Sequence, residues 1–175
     1  MRSFFPLLAT TLLLYASTAS GQISIIGNSN ARECYNEARA DGANTNPCDK
    51  SLAGDMLVGR NLAATYVNRA VVRTNARRLE AALQDLKRAE SLRPEFGEIY
   101  ASRGNIYFYM NSFEEALVEH DRGIKTGMKK LYAAHYNRGL ALEQLGRIEE
   151  AKEAYRQSIA LVPDFGLAKT RLSRL

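Results

Sequence analysis

The sequence predicts an all-α fold, a solenoid of three stacked helical hairpins with a short hairpin before them and a single helix after them. Three observations predict it. The first is a set of residues that recurs down the chain. Tyr66, Ala70, Arg73, Ala82 and Leu86 return one period on as Tyr100, Gly104, Tyr107, Ala116 and His120, and once more, after a slightly longer period, as His135, Gly139, Leu142, Ala151 and Tyr155. The second is that small, aromatic and apolar residues within each copy fall three and four apart, the spacing of one helix face. The third is punctuation: each copy turns near its middle, most plainly at Asn111-Ser112, and closes on Pro94, Gly127 or Pro163, residues that stop a helix.

The elements follow in order. Residues 1–21 read as a secretory signal peptide. Arg2 gives a positive start, Phe4 to Ala16 is a nearly uninterrupted apolar run, and Ala16 to Gly21 offers small residues to a peptidase. The run is shorter than the ~20 residues of a membrane-spanning helix, which weighs against an uncleaved anchor. Cys34 lies too far on to be a lipid attachment point. The mature chain is therefore expected in the periplasm or secreted, with no stable membrane insertion after cleavage. Loss of this segment removes Arg2 and no acid, so the net charge falls from +5 to +4. The densest basic groups, Arg77-Arg78 and Lys129-Lys130, are adjacent pairs that fall at expected turns. A nucleic-acid surface needs clustered cations interleaved with aromatics, so no nucleic acid is expected as a partner.

Residues 22–62 read as a leader and an N-terminal capping hairpin. Ala31, Cys34, Tyr35 and Ala38 share one helix face, the run from Asp41 to Asn46 breaks it, and Pro47 suits the first turn of a second helix. Cys34 and Cys48 would then lie on the two arms. In an oxidising compartment two cysteines this close usually pair, and their spacing does not suit a catalytic dithiol. Two free buried thiols are the alternative. A bridge would hold a hairpin too short and too polar to close a core alone.

The three full units occupy residues 63–163. Helices are expected at 61–75 and 78–91, 97–110 and 113–126, and 131–145 and 148–161. The extra residue in the second spacing falls at Gly127-Met128, where the other units have their proline. Residues 164–175 place Leu167, Ala168, Arg171, Leu172 and Leu175 near one face, a capping helix over the third unit.

A period of about 34 with an aromatic, then Gly or Ala, then an aromatic or apolar residue, then Ala and a closing proline resembles the tetratricopeptide repeat, in its exported bacterial type. In that pattern Ala70, Gly104 and Gly139 let the second helix of each unit approach closely, and Ala82, Ala116 and Ala151 supply the matching gap. The resemblance also implies a groove lined by the first helix of each unit, holding a segment of a protein or peptide partner. Its lining would include Val67, Asn68, Val71 and Asn75, then Ala101, Ser102, Asn105, Phe108 and Tyr109, then Tyr136, Asn137, Leu140 and Gln144. Asn105 and Asn137 match asparagines that bind a ligand backbone in peptide-binding members. Ala101 and Ala133 stand where chaperone-binding members carry lysines, so a receptor for a chaperone's tail is not expected. Phe108, Tyr109 and Tyr136 are either partner anchors or packing between units.

One departure from the family pattern is repeated. Arg69, Arg103 and Arg138 stand just before the small residue, where the family usually has Leu. Semi-buried guanidinium groups need acids, and Asp85, Glu119 or Asp121, and Glu153 lie on the facing helices. The alternative is that each arginine runs its aliphatic stem out to water.

Little in the chain points to catalysis. His120 and His135 fall where the other units carry large apolar or aromatic side chains, and no ligand stands at metal spacing to either. There is no phosphate-binding glycine loop and no nucleophile elbow. Glu114-Glu115 and Glu149-Glu150 open their helices, where acids favour the positive end of the dipole. The expectation is a non-enzyme with no cofactor and no metal, an exported adaptor or assembly factor binding a partner in its groove. The alternatives are a self-associating structural module and a non-catalytic accessory to a cell-envelope enzyme.

Overall fold

The computed structural model describes residues 29–175, so the expected signal peptide lies outside the described residues. The described chain is helical throughout. α1 (Ser29–Arg39) and α2 (Asn46–Gly54) form the first hairpin, followed by α3 (Gly59–Asn75) with α4 (Leu79–Leu92), α5 (Gly97–Tyr109) with α6 (Phe113–Lys125), and α7 (Leu131–Gln144) with α8 (Ile148–Leu161). α9 (Gly166–Leu172) closes the stack. Among the described residues no helix is long and apolar enough to cross a membrane.

The turn inside each unit is the same object built three times. Arg77, Asn111 and Gly146, at one repeat position, have φ of 60°, 60° and 72°. The next residue's N–H reaches back over the turn, from Arg78 to Arg73, Ser112 to Tyr107 and Arg147 to Leu142, at 2.8, 2.9 and 2.9 Å. This pairing satisfies carbonyls that the helix end leaves open, and it needs the left-handed conformation. Arg77 adopts it although its side chain disfavours it. Its guanidinium meanwhile stacks on the Tyr109 ring of the next unit, 4.7 Å from the centroid.

The first hairpin is in register with the repeat. Cys48 stands one repeat period before Ala82, the position that becomes Ala116 and Ala151, and Ala38 stands one period before Val72, which becomes Ile106 and Ala141; all are buried. Cys34 and Cys48 are bonded, with Cα atoms 4.6 Å apart, and pack with Ala38 onto Val71 and Val72. The bond therefore supplements thin packing at the N-terminal end of the stack. Changing both cysteines to alanine is expected to lower stability by about 3 kcal/mol, from the loop entropy returned to the unfolded chain. Denaturant titration checks it, and a midpoint equal to the parent's would overturn the assignment.

Close approach within units follows the small residues. A Cβ added at Gly104 would lie 2.6 Å from the His120 ring, and one at Gly139 would lie 2.5 Å from the Tyr155 ring. Gly97 plays a part the sequence reading did not assign. A Cβ there would meet the Met128 Cβ at 2.8 Å. Met128 is buried against Ala101 and Ala134, filling the place of the missing proline, while Gly127 takes φ 76°. At the far end Phe165, Leu167, Leu172 and Leu175 of the tail pack on Tyr136, Leu142, Ala151 and Tyr155. These side chains are partly buried, so each contributes less than the roughly 1.5–3 kcal/mol of full burial, and together they hold so short a helix as a cap.

Candidate functional site

The repeated arginines form ion pairs, and the pairs follow a rule. Arg69 on α3 reaches forward to Asp85 of its own unit, with Nε to Oδ2 at 2.9 Å and Nη2 to Oδ1 at 2.7 Å, and back to Asp49 on α2 at 2.7 Å. Arg103 on α5 likewise spans Glu119 of its own unit at 3.4 Å and Glu90 on the preceding α4. Each arginine thus clamps its unit to the one before. Burial works against the charge of Arg69 and Arg103, and the hydrogen-bonded carboxylates outweigh it, so both hold their protons more firmly than usual. Their guanidinium carbons lie over the rings of Tyr66 and Tyr100, 5.6 and 5.7 Å from the centroids.

The third arginine departs from the expectation. Arg138 donates from Nε to Asp121 on the preceding α6 at 2.6 Å, not to Glu153, which pairs with Arg156 on the exposed face of α8. The position that holds Asp85 and Glu119 in the first two units is Ala154 in the third, so only the backward contact survives. Glu149 and Glu150 sit in the first turn of α8, as the dipole favours, and are engaged by Lys152 and Arg147. No side-chain cap bond is made at the start of α6 or α8.

The expected groove residues fall into three groups. At the N-terminal end Asn68 and Val71 are buried, and Val71 lies under the disulfide-bonded hairpin. At the C-terminal end Tyr136 is buried between the rings of Tyr155 and Phe165, 5.8 and 5.3 Å between centroids. Its phenol is pushed up by burial, against the opposing pull of Arg171. Gln144 is exposed, and Tyr109 is half-buried beneath Arg77. The middle group comes together. Asn137 on α7 donates from Nδ2 to Asn105 Oδ1 on α5 at 2.8 Å, and these two line a cleft with Phe108, His120 and Leu140. Ser102 is buried one turn away on the same helix.

That cleft is chemically unusual for a packed interior. Asn105 Nδ2, Asn137 Oδ1, Ser102 Oγ and both ring nitrogens of His120 are buried without a hydrogen-bond partner. The cleft is too narrow for a water molecule. Leaving such a group unpaired costs about 1–3 kcal/mol, and folded proteins keep few of them. Sequence reasoning assigned His120 to structural filling. It does fill the space beside Gly104, but it also brings two polar atoms that Leu86 and Tyr155 do not place there.

Burial pushes the His120 imidazole down from 6.5 to about 3, so it is neutral in the folded protein at any ordinary pH. In the unfolded chain it takes a proton as pH falls below 6.5, while the folded chain cannot, and protonation therefore favours unfolding. Stability is expected to fall by about 1.4 kcal/mol per pH unit from this group as pH drops from its unfolded value towards its folded one. Denaturant titrations of the parent and His120→Leu between about pH 7 and pH 5 test it. The variant should be more stable and its curve shallower, keeping the slope of the His135 imidazole, which burial also pushes down, and parallel curves would refute the assignment.

Residues 132–165, the third hairpin, match the family model of the tetratricopeptide repeat. This is a tetratricopeptide-repeat fold. Solved structures agree along most of the chain. The crystal structure of MamA superposes with a TM-score of 0.65 at 22% identity, over 84% of this chain and 82% of that one. The first tetratricopeptide domain of Spaghetti (RPAP3), bound to an HSP90 peptide, gives 0.62 at 19% identity, over 68% and 94%. The Arabidopsis OM64 tetratricopeptide domain gives 0.61 at 21%, over 65% and 93%. At these identities the likeness is one of fold. Two features mark this tetratricopeptide stack: the arginine clamps between units and the bonded hairpin in register before the first full repeat.

Proposed function

We propose that the chain is a protein-interaction module, not an enzyme, that takes an extended segment of a partner along α5 and α7. The observation that carries this reading is the unpaired polar set in the cleft. A peptide backbone offers a carbonyl for Asn105 Nδ2 and an N–H for Asn137 Oδ1, and either group can pair with His120. Supplying those partners recovers stability that the free protein forgoes. The cleft has no spare room, so the segment enters as α7 eases away from α5, which parts the hydrogen bond between the two amides and loosens the packing of Ala134 on Ala101. The fold neighbour bound to an HSP90 peptide supports a peptide as ligand class. The signal-like segment at the start of the chain and the cysteine pair support a periplasmic or secreted adaptor or assembly factor.

The test is photocrosslinking in cells from a benzoylphenylalanine at Phe108, with one at exposed Val118 on α6 as the control. Capture of a specific protein from Phe108, lost when Asn105 and Asn137 are both changed to leucine in a chain that still folds, is the expected result. Capture from Val118 alone would place the partner on the outer helices and overturn the reading.

A further inference from the structure

A second recess lies away from the asparagine cleft, where the linkers between units converge. It has a volume of about 210 Å³ and is lined by Arg60, Glu95, Phe96, Gly97, Glu98, Gly127 and Lys129. Three units contribute: the first turn of α3, the α4–α5 linker with the start of α5, and the α6–α7 linker. The break in the repeat period builds it. Met128 is held under α5 beside Gly97, and the following residue, Lys129, is thereby carried to the rim.

The charges in the recess are unevenly satisfied. Glu95 pairs with Arg93, and buried Glu98 accepts the backbone N–H of Lys129 at 3.2 Å. Both carboxylates are therefore engaged. Arg60 lies over the Phe96 ring, 5.5 Å from its centroid, with Arg93 5.1 Å from the same ring. Among the described residues neither the Arg60 guanidinium nor the Lys129 ammonium has a carboxylate within ion-pair distance, in contrast to Arg69, Arg103 and Arg138. We infer that this recess is a binding site for a carboxylate side chain of an acidic protein segment, received between Arg60 and Lys129. Its size favours that over a free metabolite, since pockets for whole small molecules start at about 300 Å³. The chain's positive net charge, +5 in full and +4 without residues 1–21, favours the same partner through long-range attraction.

The inference goes beyond the asparagine cleft and shares no residue with it, so either can fail without the other. The test is fluorescence anisotropy on the full chain. The probes are a labelled peptide of alternating Glu and Ser and its Gln and Ser counterpart. The acidic peptide should bind, the neutral one should not, and Arg60→Ala with Lys129→Ala should weaken binding about tenfold, the sum expected from two partly exposed charge contacts. Lys87→Ala with Lys125→Ala, exposed cations elsewhere, should leave it unchanged. Backbone amide shifts at Gly97 and Gly127 on titration provide a second readout in the parent protein. Equal loss in both double variants, equal binding of both peptides, or no binding of the acidic one would overturn the inference. Displacement by inorganic phosphate at constant ionic strength would overturn the assignment to a carboxylate.

Discussion

Arg69→Met is expected to destabilise the protein by about 3 kcal/mol, the low end for breaking a buried ion pair, since Arg73 still holds the carboxylate. Asp85 is fully buried and receives two bonds from Arg69 and one from Arg73 at 2.6 Å. Removing Arg69 takes away the two-pronged contact and leaves the carboxylate to Arg73 alone. It also frees Asp49, so the bonded hairpin loses its ionic tie to the first full unit. Adding Asp85→Leu should restore most of the loss, because a whole buried pair replaced by apolar side chains of like size is often neutral. Arg73 can follow its partner's removal by turning outward, being already partly exposed and bonded to the Ala81 carbonyl. Denaturant unfolding of the two single variants and the double variant decides the matter. Additive losses would mean that the contact between Arg69 and Asp85 carries no coupling.

Gly104→Leu is expected to cost more than the ~1–3 kcal/mol usual for an overpacked site. Even the first added carbon would lie 2.6 Å from one ring atom of His120 and hard against two others, and the ring is enclosed on all sides. The leucine must therefore expel the imidazole or drive α6 from α5. His120→Ala in the same chain should recover a large part of the loss, since the new side chain then takes the vacated space. Failure of this rescue would show that Gly104 is needed for its backbone and not for the contact.

Much of the architecture could be read from the chain because the repeat states each restriction several times. Gly104 and Gly139 mark close approach, Pro94 and Pro163 mark helix ends, and the observed helices begin and end within two residues of expectation in all three units. The repeated arginines were legible as a feature with two outcomes, ion pairs or stems running out to water, and the buried carboxylate of Asp85 decides between them for Arg69. The partner of Arg138 was not legible. Glu153 and Asp121 are both near in sequence terms, and only the packing of α7 on α6 makes the backward reach the shorter one. The groove was the least legible part. Periodicity says which face of α3, α5 and α7 a residue occupies, and Val71, Tyr136 and Leu140 do share one. It does not say that the capping hairpin and tail helix bury Val71 and Tyr136 at the two ends, nor that Met128 seats against Gly97.

Ala154 has a consequence for the order in which the stack comes apart. A linear array unfolds from whichever end is coupled least to its neighbours. At the N-terminal end a covalent bond locks the two arms of the first hairpin together, and the Arg69–Asp49 pair ties that hairpin to the next. Of the arginine clamps the last hairpin keeps only the backward half, Arg138 to α6, and α8 supplies no carboxylate to it. Its hold on the second unit otherwise rests on apolar packing of α7 against α6 and on the single amide bond from Asn137 to Asn105. Hydrogen exchange should therefore run as a wave that starts in α9 and α8 and reaches α3 last, giving the molecule a fraying end and a fixed one.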